Sequence, residues 1–335
     1  MKSMRFLGVV AIGVAACARS VATREVPTPS VVETPLFSFH SNFWVNLHHF
    51  LYMTARARAG LDANRAAVGL VLGDTVGFGT LTRDQLDGWA AALAHYGRAV
   101  APRDILFDSS LVAVNDHLAE LEAATAVTGA PGLDAGIAAA LDRAASAYRV
   151  LWWPQHDAAN RRWTSDALIP LREHGAEAAR VEAVAFRTRW SATPVRVDVS
   201  AYTNWAGAYT TEHPSHINIG SVDHIGSGGP SSFETLFHEV LHTMDDSLLT
   251  VVRASFRESG KRLPRDATHP FIFFTAGEVT RRLYPGYVPF AESGGLWARN
   301  PDFARMLPLL REHWQPYLEG QGSLEETLRR IATRW

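Results

Sequence analysis

Apolar residues fall on nearly every helical face of "FSFHSNFWVNLHHFLYMTARARA", residues 37 to 59, which predicts a buried helix rather than a half-exposed one. Asn42, Asn46 and His49 lie on one stripe of it at spacings of four and three, with His40 and His48 elsewhere. These polar residues need partners, found either inside a core or along a cleft. Residues 81 to 100, 126 to 153 and 169 to 190 are rich in Ala and Leu and repeat a helical period, interrupted by Gly and Pro. The first half is therefore expected to be mainly α, with no repeat of fixed length. The pattern changes at residues 193 to 221, where Val195, Val197 and Val199 alternate with polar residues and Ile217 and Ile219 do so again, predicting strands of a small sheet.

A Gly- and Ser-rich turn, "DHIGSGGPSS", leads into "SSFETLFHEVLHTMDD", residues 231 to 246. Ser231 and Glu234 have the spacing of a capping box, and Phe233, Leu236, Phe237, Val240, Leu241, Met244 and Leu248 recur at three and four. This predicts an amphipathic helix whose apolar face packs on the core. His238 and His242 then stand one turn apart on another face, where two imidazole nitrogens can converge on one ion, and Glu239 can reach a metal-bound water. With 14 His in the chain, an accidental HExxH has a probability on the order of 3 in 100, before a capped amphipathic helix is also required. The competing reading leaves both histidines as decoration on a helix surface.

A catalytic zinc usually takes three protein ligands and keeps one position open. Asp246 lies eight residues beyond His238, about 12 Å along a continuous helix, so Asp245 and Asp246 are assigned to orienting His242 or to solvent. The preferred third ligand is Glu278 in "ATHPFIFFTAGEVTRRLYPG". Pro270 suits a first helical turn there, and the small residues Thr275, Ala276 and Gly277 permit close approach of a second helix. The alternative for Glu278 is a surface pair with Arg281 or Arg282. His269 is the rival ligand. It lies nine residues before Glu278, about 13 Å along a helix, so the two cannot both bind one ion.

The set His238, Glu239, His242 and Glu278 resembles the gluzincin group of zinc metallopeptidases, in a separate bacterial branch of it. The resemblance covers only the C-terminal part of the chain, and the separation of 36 positions from His242 to Glu278 exceeds that in thermolysin-like or aminopeptidase families. It implies a zincin-like region, one Zn2+ and a hydrolase, most simply a peptidase acting on a peptide or protein substrate, with Glu239 as base toward the zinc-bound water. It also implies that the strand in "HPSHINIGS" lines the cleft. A Tyr or His then steadies the oxyanion, with Tyr284, Tyr287, His216 and His224 all candidates. A non-catalytic cell-envelope binding protein on the same scaffold, or hydrolysis of a non-peptide bond, are the alternatives.

Composition narrows the setting. With 335 residues, 47% of them hydrophobic, the chain can bury one large core or two moderate ones, and a formal net charge of -2 with scattered Arg argues against nucleic acid as a partner. The start "MKSMRFLGVVAIGVAACARS" has a short cationic end and an apolar run too short to span a bilayer, which predicts an export signal. Its end resembles a lipobox, so Cys17 is expected to carry a lipid anchor as the only membrane contact, ordinary secretion being the alternative. Cys17 is the sole cysteine, which excludes an intramolecular disulfide and a thiolate metal site. The expected organisation is a signal at 1–17, a tether at 18–35, a helical region at 36–190 and a zincin-like metal-binding region at 191–335. The fold class is α+β, predominantly α, with a small sheet beside the HExxH helix.

Overall fold

The computed structural model describes residues 31–61, 78–212, 214–222 and 228–335. The export signal, Cys17, most of the expected tether and His224 lie outside the described residues.

The fold is mainly helical around one mixed five-stranded sheet, as the α+β reading expects. The sheet holds β1 (Val31–Glu33), β2 (Phe37–His40), β3 (Val195–Ser200), β4 (Ala208–Thr211) and β5 (His216–Gly220), in the order β1-β2-β3-β5-β4. β2, β3 and β5 run parallel, and the edge strands β1 and β4 are antiparallel to their neighbours. Two of these strands correct the sequence reading. Val31–Glu33 had been assigned to the tether and Phe37–His40 to a helix, yet Phe37 pairs with Val195 and His40 with Asp198. The Phe-Ser-Phe-His alternation is a two-residue period, and it merged with the helical pattern behind it.

Helix α1 (Phe43–Arg58) begins where Asn42 caps it, the side-chain carbonyl accepting from Trp44 and Val45 N–H. The polar stripe of α1 is satisfied inside the protein. Asn46 donates to the carbonyls of Asn42 and Val199 and accepts from Ala201 N–H, and His49 Nε2 lies 2.8 Å from Tyr209 Oη. With α2 (Arg83–Ala99), α3 (Ser109–Glu120) and α4 (Ala135–Leu151), α1 encloses a first apolar core.

A second core lies on the opposite face of the sheet, where Val195, Val197, Val199, Ile217 and Ile219 meet later helices. α5 (Trp153–Ala185) runs from one core to the other, its residues from Trp163 onward belonging to the second. The second core also takes in α6 (Gly229–His242), α7 (Asp246–Glu258), α8 (His269–Leu283) and the C-terminal α9 (Leu324–Arg334).

Between the first core and the sheet lies a buried charged layer. Asp198, fully buried, accepts from Arg196 Nε at 2.6 Å and lies 2.8 Å from His216 Nε2, while His216 Nδ1 meets Asp116 at 3.1 Å. Burial alone would raise the Asp198 carboxyl, but His216 and Arg196 hold it well below the usual carboxylate range. Burial lowers His216, and the hydrogen bonds of Asp116 and Asp198 more than reverse this. Among the described residues no helix is long and apolar enough to cross a membrane.

Candidate metal centre

α6 is the central helix of the second core. Residues Ser232 to Leu241 are all buried, and the helix packs against α5, α8 and β4. Its start differs from the expected capping box. Gly228, at φ 88, is the N-cap with no side-chain hydrogen bond, Pro230 occupies the first turn, and Ser231 N–H bonds to Gly228 O. Glu234 instead turns away and accepts the Phe290 N–H at 3.0 and 3.1 Å. Its end also differs, because Thr243 caps the helix after His242 and Asp246 opens α7. The continuous axis assumed for Asp245 and Asp246 is therefore broken.

His238 and His242 converge as their spacing predicts, their Nε2 atoms 3.3 Å apart. The third imidazole is His269, first residue of α8, whose Nε2 lies 3.4 Å from that of His238. One nitrogen from each of the three lies within 4.8 Å of the others. Two nitrogens held tetrahedrally at about 2.0–2.1 Å from one zinc stand about 3.3–3.4 Å apart, so the donor set and its spacing fit such an ion. Phe273, one turn along α8, stacks on His269 with ring centroids 4.5 Å apart and packs on His238 at 4.2 Å.

His238 and His242 are held neutral, as metal ligation requires. Burial, then the nearby His242 and His269, push His238 well down. Burial and His269 carry His242 down to about 3, against an opposing pull from Asp266. Glu239, beside them and 6% exposed, is raised to about 7 by burial, with the Thr210 hydroxyl and His269 opposing. Thr210 Oγ1 lies 2.7 Å from Glu239 Oε2 and 2.9 Å from the Glu239 carbonyl, so edge strand β4 fixes this carboxylate. The expected cleft strand, β5, lies inside the sheet, and the edge strand beside it is β4.

The structure does not bring Glu278 to this cluster. Its carboxylate accepts from Arg281 on the next turn of α8 and borders a cavity of about 300 Å³ with Val181, Val279, Arg282 and Gln315. The surface-pair alternative therefore describes Glu278, and His269 is the third member of the cluster. The reason is geometric: α8 meets α6 with its N-terminal turn beside His238 and His242, and Glu278 is two and a half turns away. Gly277 does mark a close approach, but a Cβ there would meet Pro289 at 2.7 Å, not a metal site.

The remaining candidates also find places. Asp245 accepts from Thr268 Oγ1 at 2.6 Å, tying the end of α6 to the start of α8, and Asp246 is exposed. Tyr284 packs on His174 and Phe233, and Tyr287 bonds Glu234; these positions follow the far end of α8, about 22 Å along its axis from His269. His216 belongs to the charged layer behind the sheet. Sequence reasoning missed two contributors. Thr210 carried no motif, whereas Asp266 stood three residues before the rival ligand, and its Oδ2 lies 2.9 Å from His269 Nδ1. Comparison of the chain with protein-family models, with curated proteins and with solved structures found no match.

Proposed function

We propose that His238, His242 and His269 hold one divalent ion, most simply Zn2+, and that the protein is an exported zinc-dependent hydrolase of peptide bonds. The observation that carries this reading is the convergence of three imidazole nitrogens beside a buried carboxylate at near-neutral pKa. Three imidazoles and no thiolate suit zinc, and a three-ligand set leaves room for water and substrate. Such an ion, when bound, supplies Lewis acidity that acidifies water and polarises a carbonyl.

The chain's own residues account for the rest. Glu239, held by Thr210, takes the proton of the attacking water and returns it to the leaving amine, a role that suits a carboxyl raised to about 7. The pKa here reflects burial, so the same side chain can accept and release a proton near neutrality. Phe273 packs on two of the imidazoles and limits their rotation. The N-terminal sequence supports export with a lipid anchor at Cys17.

The test is turnover of a broad peptide library by the purified protein, with zinc and with chelator. Cleavage that is lost on chelation and restored by zinc supports a peptidase. Zinc binding without cleavage of any peptide favours a binding protein or a hydrolase of another bond.

A further inference from the structure

The geometry points to Asp266 as a positioning residue that sets the tautomer and orientation of His269 for metal binding, an inference that rests on the three-histidine reading above. An imidazole ligates through one nitrogen, and which one is decided by the hydrogen bond made by the other. Among the described residues, His269 is the one member of the cluster with a carboxylate on its second nitrogen. Asp266 Oδ2 lies 2.9 Å from Nδ1, so the proton resides on Nδ1 and the Nε2 lone pair faces His238 and His242. His238 offers the contrast. Its Nδ1 is buried and has no hydrogen-bond partner among the described residues, and Phe273 packs on its ring.

The arrangement is also anchored independently of the metal. Thr268, between Asp266 and His269 in sequence, donates to Asp245 at the end of α6 at 2.6 Å, and Phe273 stacks on the His269 ring at an interplanar angle of 17°. The turn bearing Asp266 and His269 is thus fixed against the helix that bears the other two imidazoles. The Asp266 side chain is 52% exposed, so its removal leaves no cavity and no buried partner unsatisfied except His269 itself.

The experiment titrates the metal-free protein with zinc against a chromophoric chelator, for wild type, Asp266→Ala, Asp266→Asn and His269→Ala, with metal-free Tm measured in parallel. The expected result is zinc affinity about 10- to 100-fold weaker in Asp266→Ala. Asp266→Asn keeps an acceptor oxygen without its charge and should fall between that value and wild type, with metal-free Tm unchanged in both. Affinities within about twofold of wild type in both variants overturn the inference while leaving the metal site standing. So does a loss confined to Asp266→Ala and matched by a fall in metal-free Tm, which makes the contact structural. A wild-type protein that binds no zinc overturns the metal reading and this inference together.

Discussion

Thr210 reaches from the edge strand β4 to the helix α6 and places its hydroxyl 2.7 Å from Glu239 Oε2, fixing the buried carboxylate that follows His238, first of the three clustered imidazoles. Glu239→Gln keeps the size of the side chain and every histidine, so zinc should still bind while turnover falls by about a hundredfold or more. Thr210→Val removes the hydroxyl that bonds the Glu239 carboxylate and carbonyl while keeping the size of the side chain, and should cost about tenfold. Steady-state kinetics with metal analysis on each variant checks both values.

Glu234 gives a pH dependence of stability that is separate from the histidines. Burial raises its carboxyl from 4.5 to about 7, with hydrogen bonds from Tyr287 and the Phe290 N–H opposing. A carboxyl raised in the folded state stabilises the fold below its unfolded pKa, and this contribution is lost as pH rises through the folded value. The metal-free wild type should therefore lose stability relative to Glu234→Gln between pH ~4.5 and ~7, by on the order of 3 kcal/mol at most. Urea unfolding of both proteins across that range measures the difference, and parallel curves would remove the assignment.

Gly277→Ala tests the close approach that small residues on α8 permit. The added methyl would stand 2.7 Å from Pro289 Cβ and 3.3 Å from Glu234 Oε1. Overpacking of about 1–3 kcal/mol outweighs the roughly 1 kcal/mol gained in helix propensity. The variant should unfold at lower urea with zinc affinity unchanged.

Asp198→Ala removes the buried carboxylate shared by Arg196 and His216 behind the sheet, leaving His216 with Asp116 and Arg196 with Glu122. Breaking such a buried pair costs about 3–5 kcal/mol, so chemical denaturation should give a loss of that size. A change under about 1 kcal/mol would mean that the layer contributes little to the union of sheet and helices.

Much of this architecture is legible in the chain. The alternation at Val195, Val197 and Val199 gave a strand, and the period from Phe233 to Leu241 gave the helix that carries His238 and His242. The short strands before α1 were hidden because Phe37 and Phe39 fit a helical and an extended pattern equally well over four residues. The third member of the cluster depended on which end of α8 meets α6, a tertiary fact with no local signature. Glu278 and His269 sit on the same helix, and only packing selects the one at the crossing. Thr210 was illegible for the same reason, since its role arises from a strand edge lying over α6. Glu234 looked like a capping residue because spacing alone cannot tell a side chain that folds back on its helix from one that reaches a distant N–H.

The most direct measurement is zinc stoichiometry and affinity for wild type, His269→Ala and Glu278→Gln, purified without their export signal. The account predicts about one zinc per chain in wild type and in Glu278→Gln, and affinity reduced by orders of magnitude in His269→Ala, because the ion loses one of three protein ligands. No zinc in the wild type, or zinc retained by His269→Ala and lost by Glu278→Gln, would contradict it.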